Sequence, residues 1–242
     1  MICIEGLTKQ YGDLVAVDDL HLQVGEGELF SLLGVNGAGK TTTIKMLSGL
    51  TRPTAGDAFL GGKSIVKETT AVKAMIGVSP QETAVAPGLS AKENMEMICG
   101  VYGFSQEKTR EKVAEISKLL GLEPVMKRKA GKLSGGWQRR LSIAMALISQ
   151  PKILFLNEPT LGLDVIARSG LWDLIRSLKG KTTIILTTHY MEEAYALSDR
   201  IAIMKDGRLL ICGTAKEIMD TAGTDNFEQA FIRLVKGEVQ CD

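Results

Sequence analysis

The sequence of 242 residues lacks the cysteine pattern of a disulfide-bonded or zinc-binding protein. Its cysteines are far apart, form no C-x-x-C pair, and stand at Cys3, Cys99, Cys212 and Cys241. His21 and His189 do not join them in a spacing typical of metal ligands. We therefore expect reduced thiols in a cytosolic chain.

Charge excess and long apolar runs are also missing. The chain has 29 Lys and Arg residues and 28 Asp and Glu residues, which gives a formal net charge of +1. The basic excess typical of nucleic-acid binding is absent, so we expect no nucleic-acid partner. Residues 143–148, among the longest apolar runs, are too short to cross a bilayer. Residues 1–5 lack the features of a signal peptide. We expect a soluble, cytoplasmic chain that needs a partner for any role at a membrane.

Alternating apolar and polar residues predict β structure in the first part of the chain. Residues 2–24 are predicted to form antiparallel strands of a small β layer around the turn at 11–13. Residues 54–62 predict another short strand that ends in a glycine turn. Residues 76–81 predict a buried strand that stops at a proline.

The pattern then changes to helices as far as about residue 132. Ser90 and Glu93 form a capping box, which predicts a helix start. Ser105 is expected to cap a second helix, whose apolar residues recur at helical spacing until Gly121. A helical insertion between two α/β portions predicts a separate subdomain, with hinges near Gln81 and Leu133.

The last portion alternates helices and strands, which implies a mostly parallel sheet. Helices are predicted at 134–149, 164–178 and 191–197, and strands at 152–157, 182–187, 201–205 and 208–212. Two short helical patterns follow in residues 214–242. Their apolar stripe is expected to pack on the body of the protein and consists of Phe227, Ala230, Phe231 and Leu234.

The stretch from Gly34 to Thr41 has the spacing G-x-x-x-x-G-K-[ST] between a predicted strand and a predicted helix. Glycines let the backbone N–H groups turn inward around phosphate oxygens, and the helix dipole favours the same anion. Lys40 can reach the β and γ phosphates, and the Thr41 hydroxyl can ligate Mg²⁺. The alternative is a glycine-rich turn followed by an accidental Lys-Thr pair. The predicted nucleotide-binding residues are Gly34, Asn36, Gly37, Ala38, Gly39, Lys40, Thr41 and Thr42.

These patterns predict an α/β fold that combines a P-loop NTPase core on a mostly parallel sheet with an antiparallel β layer and a helical subdomain. We expect one functional unit over 1–242. Residues 1–81 and 133–213 form its core, about 82–132 the helical subdomain, and 214–242 a short helical extension.

Residues Leu133 to Arg140, with the sequence LSGGWQRR, resemble the LSGGQ signature of ATP-binding cassette proteins. They precede a strand that ends in Asn157-Glu158-Pro159-Thr160. The order of P-loop, Gln81, signature, this Walker B strand, Asp164 and His189 is similar to that family across nearly the whole chain. Several ordered motifs are far more specific than any one of them.

Ser134, Gly135 and Gly136 offer a hydroxyl and unobstructed N–H groups at a helix start, a second surface suited to an anion. A helical insertion separates them from the P-loop of the same chain, so both can hardly surround one phosphate. In the family that the chain resembles, two subunits pair head to tail and each signature closes over the ATP of the other. The resemblance implies a homodimer in the ATP-bound state, with Asp164 at its seam.

Further roles follow from the resemblance. Glu158 corresponds to the carboxylate that polarises the attacking water, although alone it would be taken as a turn residue. His189 resembles the switch histidine near the γ-phosphate, and Gln81 the residue that reaches Mg²⁺. Tyr11 lies where the family places an aromatic ring against adenine, but local packing is an equally good explanation.

Two residues depart from the family pattern. Asn157 stands where the family has Asp, so a carbonyl oxygen remains but the negative charge that helps to hold Mg²⁺ is lost. This predicts weaker Mg²⁺ dependence or slower hydrolysis, with ATP binding retained. Trp137 replaces the usual signature residue, and we expect it to change packing more than chemistry.

The leading hypothesis is the ATP-binding and hydrolysing subunit of a membrane transporter, resembling bacterial drug, antibiotic or ion exporters. Its cofactors are then ATP and Mg²⁺, and its partners integral membrane subunits at the inner face of the cell membrane. They are expected to dock near Gln81 and the helix from Ser90 to Gly103. The alternatives are a weakened nucleotide-binding module, altered at Asn157 and paired with an active cassette, and a soluble regulator built on the same domain.

Overall fold

The computed structural model describes residues 1–239, so Cys241 and the last residues of the predicted extension lie outside the described part of the chain. Its strands form two sheets. The first contains β1 (Ile2–Tyr11), β2 (Leu14–Val24), β4 (Ala55–Leu60) and β5 (Lys63–Ser64), in the order β2-β1-β4-β5. All its pairings are antiparallel, so the predicted β layer is confirmed.

The second sheet carries the parallel strands. It contains β3 (Leu29–Leu33), β6 (Ile76–Ser79), β7 (Ile153–Asn157), β8 (Thr183–Thr188), β9 (Arg200–Lys205) and β10 (Arg208–Gly213). The order is β10-β9-β3-β8-β7-β6. Among these described strands the pairing of β9 with β10, the predicted hairpin, is antiparallel and the other four pairings are parallel. The predicted mostly parallel sheet is confirmed.

Two of the helices begin where the predicted capping residues place them. Ser90 accepts a hydrogen bond from the Glu93 amide while the Glu93 carboxylate accepts one from the Ser90 amide, and Ser105 caps the next helix. The helices are α1 (Lys40–Leu47), α2 (Thr69–Met75), α3 (Ala91–Val101), α4 (Gln106–Leu119), α5 (Gly135–Leu147), α6 (Val165–Leu178), α7 (Met191–Leu197), α8 (Ala215–Ala222) and α9 (Phe227–Lys236).

Helix α2 was not predicted, and its sequence shows why. Glu68 precedes it without a side-chain capping bond, and Val72 is its one buried residue in this structure. A helix with so little apolar surface has no stripe at a period of 3.6 residues.

The two faces of the parallel sheet pack against different layers. In β7 and β8, Phe155 and Ile185 face the antiparallel layer and α1, whereas Leu156 and Leu186 face the helices on the other side. Side chains alternate between faces because the period of a strand is two. The helices α3 and α4 share their buried core with this second face.

The C-terminal helices cover a third buried cluster. The apolar stripe of α9 packs with Ile201 and Ile203 of β9, which confirms that it lies on the body of the protein. No helix within residues 1–239 combines the length and the apolar character required to span a bilayer.

Candidate nucleotide site

The predicted site residues lie at the carboxyl edge of the parallel sheet. β3 leads into the loop before α1, β7 ends at Asn157, and β8 ends just before His189. Open α/β sheets bind their ligands at this edge.

The loop between β3 and α1 has a backbone that only glycine accommodates at its last position. Gly39 has a φ of 98°, and a Cβ there would lie 2.6 Å from the carbonyl oxygen of Ala16 in β2. α1 starts immediately afterwards at Lys40. The N–H groups of its first turn have no acceptors within the helix, which makes them available to an anion.

A cavity of about 560 Å³ lies in front of this loop. It brings together Tyr11, the loop, Gln81, Glu158 and His189, which are far apart in the sequence. The lining also includes residues that were not predicted from the sequence. These are Leu14, Val15, Ala16, Leu161 and Asp206. Among them, Asp206 belongs to a predicted Asp-Gly turn, and the others follow no recognisable sequence pattern.

The ammonium group of Lys40 is buried among carbonyl groups of the loop. Nζ donates to the carbonyl oxygens of Gly34 at 2.7 Å and Val35 at 3.1 Å, and lies 3.7 Å from Oε1 of Glu158. Burial lowers the pKa of Lys40, and the neighbouring Glu158 carboxylate opposes that shift. The lysine is therefore a positive charge with few competing water molecules, well placed for a phosphate.

Glu158 is buried and contacts two of the predicted site residues. Its Oε1 faces Lys40, and its Oε2 forms a hydrogen bond of 2.6 Å with Nδ1 of His189. Its backbone has a φ of 50°, uncommon for a residue with a side chain, and its amide donates to the carbonyl oxygen of Thr187 at 3.0 Å. The end of β8 thus fixes the backbone of Glu158, and the contacts with His189 and Lys40 set the direction of its carboxylate.

Asn157 points its carbonyl oxygen at two hydroxyl groups. Oδ1 accepts hydrogen bonds from Oγ1 of Thr187 at 2.5 Å and from Oγ1 of Thr41 at 3.4 Å. Because Thr187 Oγ1 accepts the Glu158 amide at 3.2 Å, its own hydrogen is directed to Asn157. The amide NH₂ therefore replaces the second oxygen that an aspartate would present.

The signature residues lie at a different surface. Ser134 precedes α5, and within residues 1–239 its hydroxyl makes no capping hydrogen bond. A cavity of about 460 Å³ contains Ser134, Gly136 and Asp164, and in the described chain it shares no lining residue with the cavity at the loop. Asp164 also caps α6 by accepting from the Ala167 amide at 2.8 Å. One chain therefore does not bring its loop and its signature together.

A family model described as "ABC transporter" matches residues 17–161, which include the loop, Gln81, the signature and Glu158. The chain belongs to the ABC transporter family. As an ATP-binding domain of that family it has the ordered motifs of a cassette, and the structure places them at the two cavities described above.

The relatives of this cassette include proteins described as ATP-binding proteins. The doxorubicin resistance ATP-binding protein DrrA of Mycobacterium tuberculosis is 43% identical over 239 residues, covering 97% of this chain and 72% of DrrA. The linearmycin resistance ATP-binding protein LnrL of Bacillus subtilis is 38% identical over 230 residues, covering 95% and 74%. Among solved structures, the dimeric post-hydrolysis state of the cassette MJ0796, bound to ADP and Pi, is 29% identical with a TM-score of 0.80, covering 88% of this chain and 98% of that one.

The donor groups of the cassette suit a magnesium ion held mainly by phosphate. Thr41 and Gln81 line the cavity in front of the loop. Asn157 is not among the residues that line it, but its neutral Oδ1 lies 3.4 Å from Oγ1 of Thr41. Among residues 1–239 no cluster of His, Cys, Asp or Glu forms a metal site by itself. Mg²⁺ commonly takes few protein ligands beside waters and phosphate oxygens, so Thr41, Gln81 and Asn157 fit it.

Glu193 of the cassette was not predicted to matter, because its buried surroundings come from distant segments. Its side chain is 0% exposed and accepts from Nε1 of Trp172 at 3.2 Å. Within the described residues, its Oε2 and the nearby Thr160 Oγ1 are buried and have no hydrogen-bond partner. Burial raises the pKa of Glu193, although nearby donors, among them Nε1 of Trp172, oppose the shift.

Proposed function

We propose that this cassette binds and hydrolyses ATP to drive a membrane exporter. The observation that carries the proposal is the convergence of Lys40, Glu158 and His189 at one cavity with the P-loop. These residues supply a cation for phosphate, a carboxylate for water, and a group that orients the carboxylate. The roles remain predictions drawn from this geometry.

In the proposed reaction, water attacks the γ-phosphorus and the bond to the bridging oxygen of ADP breaks. Glu158 orients the water and accepts its proton, while Lys40 stabilises charge on the phosphate oxygens. His189 holds the Glu158 carboxylate through their 2.6 Å hydrogen bond. Thr41, Gln81 and Asn157 would hold Mg²⁺, and the bound ion would supply further positive charge at the phosphates.

Hydrolysis requires a second copy in this proposal. Ser134 and Gly136 lie on a cavity of their own, so they are free to close on the ATP of a partner in a head-to-tail homodimer. The dimeric cassette bound to ADP and Pi supports such an arrangement. ATP would close the dimer and hydrolysis would reopen it, with the helical segment of about 82–132 moving relative to the core.

An apolar groove suits a membrane partner. A cavity of about 470 Å³ between the end of β6, α3 and α5 is lined by Ile98, Val101 and Tyr102, together with Leu50 from the core. Leu50 and Val101 are 68% and 77% exposed. We propose that a helix of an integral membrane subunit docks here, which would place the chain at the inner face of the membrane. The drug-resistance names of DrrA and LnrL support export.

Asn157 favours a second candidate function, a cassette that binds ATP but turns it over weakly beside an active partner. Phosphate release by the purified chain separates the two candidates. Turnover that is lost in Lys40→Ala supports the first, whereas ATP binding without turnover supports the second. Turnover that Lys40→Ala does not change would contradict the proposed site.

A further inference from the structure

The side chain of Asn157 has two possible orientations that differ chemically. The two oxygens of an aspartate are equivalent, whereas an asparagine ends in one oxygen and one NH₂ group. The oxygen can bind Mg²⁺ or accept a hydrogen bond from a water molecule on the ion, and the NH₂ group can do neither. Asn157 therefore assists a metal beside Thr41 only while its oxygen is held on that side, as it is in this structure.

Thr187 lies directly opposite Asn157 in the parallel sheet. The two residues are partners in the pairing of β7 with β8, so their side chains leave the sheet on the same face. The Thr187 hydroxyl donates to Oδ1 of Asn157 at 2.5 Å, whereas the bond from Thr41 is 3.4 Å long, near the limit for a hydrogen bond. Thr187 thus makes the closer contact with the Asn157 side chain.

The direction of the Thr187 hydroxyl is set by a third residue. The amide of Glu158 donates to Oγ1 of Thr187 at 3.2 Å, so the hydroxyl hydrogen points elsewhere. Among residues 1–239 the hydrogen-bond acceptor of this hydroxyl is Oδ1 of Asn157, and Thr187 is 0% exposed, so water does not replace it. Turning the Asn157 amide over would leave a buried hydroxyl hydrogen without an acceptor, which is unfavourable.

We propose that Thr187 is a positioning residue that holds the oxygen of Asn157 toward Thr41, and so makes an asparagine effective where an aspartate would need no orientation. In the described chain Thr187 does not line the nucleotide cavity, so it acts through Asn157. This inference rests on the proposed function, because it requires Mg²⁺ to bind beside Thr41 together with the nucleotide.

The test removes the Thr187 hydroxyl in two backgrounds. Thr187→Val keeps the shape of the side chain and Thr187→Ala makes it smaller, so a result common to both reports the hydroxyl and not the fit. Each change is made in the parent chain and in a chain that also carries Asn157→Asp, whose two oxygens need no orientation. The carbonyl oxygen of Thr187, which accepts the Glu158 amide at 3.0 Å, remains in every variant.

Two further variants serve as controls. Thr187→Ser keeps the hydroxyl and should behave as the parent. Thr183→Val removes another buried hydroxyl of β8, whose oxygen also accepts a backbone amide, that of Gly27 at 2.9 Å. Because Thr183 stands at the opposite end of the strand from Asn157, its loss reports the general effect of removing a buried hydroxyl from β8.

The measured quantity is the free Mg²⁺ concentration that half-saturates the change in affinity for a fluorescent, non-hydrolysable ATP analogue, so the readout is binding and not turnover. Thr187→Val and Thr187→Ala should raise this concentration about tenfold in the parent chain, the lower end of the range for groups that orient metal ligands. With Asn157→Asp the same changes should shift it less than about twofold. Affinity in chelator, which reports the state of the P-loop, should change less than about twofold throughout.

Shifts of equal size in the two backgrounds would overturn the inference, because the hydroxyl would then support the site whichever residue stands opposite. Unchanged Mg²⁺ dependence in the parent background, or a shift that Thr183→Val reproduces, would overturn it as well. A parent chain that binds the analogue equally well with and without Mg²⁺ would contradict the proposed metal site itself, and a parent chain that does not bind the analogue would contradict the proposed function.

Discussion

Replacing Asn157 by aspartate adds a carboxylate where β7 meets the P-loop, and the structure allows it without disturbing its neighbours. The oxygen that accepts from Thr187 and Thr41 is present in both side chains, so both hydrogen bonds remain. The amide NH₂ becomes a second oxygen, and the hydrogen bond from Thr187 becomes charge-assisted. The expected change is therefore electrostatic and directed at the metal.

The added charge has two effects of opposite sign. With Mg²⁺ and ATP present it helps to hold the ion, and groups that support metal ligands typically change metal affinity by about 10–100-fold, so the half-saturating Mg²⁺ concentration should fall by about that factor. Without Mg²⁺ it is a nearly buried carboxylate beside Glu158. Burial of a partly satisfied polar group costs about 1–3 kcal/mol, so thermal stability in Mg²⁺-free buffer should fall by several degrees.

The assay is initial phosphate release at saturating ATP while free Mg²⁺ is varied, with a thermal melt in chelator as the companion measurement. Asn226→Asp is the control for the Mg²⁺ titration, because the Oδ1 of Asn226 also accepts a hydrogen bond, from the Gln229 amide at the start of α9, and the residue lies away from the metal ligands. Superimposable Mg²⁺ curves for the parent and Asn157→Asp would refute the reasoning, since the missing charge would then have no bearing on the metal.

Three further predictions follow from described contacts. Lys40→Ala should weaken ATP binding by about tenfold or more, measured by fluorescence titration, because charged hydrogen bonds to phosphate are lost. Glu193→Gln should stabilise the protein, and the stabilisation should grow as the pH rises above about 4.5, the pKa of a glutamate in the unfolded chain. The pKa of Glu193 is raised in the folded protein, so its ionisation costs stability in that range. A difference in melting temperature between variant and parent that is the same at pH 5 and pH 8 would contradict this. Val101→Glu should abolish co-purification with the membrane subunit and leave ATP turnover unchanged, and retained co-purification would argue against the apolar groove as the docking site.

Local chemistry made much of the fold predictable. The capping box at Ser90 and Glu93, the Asp-Gly turn of the last hairpin and the alternation of residues 2–24 each depend on neighbours in the sequence, and the structure has all three. Helix α2 lacked such a local signal and was missed.

The sequence predicted which residues belong to the candidate site, but it did not predict which of them contact one another. Motif spacing indicated Lys40, Glu158 and His189, but their distances depend on how β3, β7 and β8 pair. Glu193 gave no signal, because a buried charge is recognised only when the distant groups around it are known. Tyr11 is in the cavity as predicted, and its contact with adenine remains a prediction.

The close approach of β2 to the P-loop has a consequence for the energy of binding. The carbonyl group of Ala16 lies close to Gly39 in the loop and to Gly207 in the turn between β9 and β10, so segments from both sheets pack against the loop and restrict its backbone. A loop that is already ordered loses little conformational entropy when ATP arrives. More of the binding free energy then remains for bringing two cassettes together.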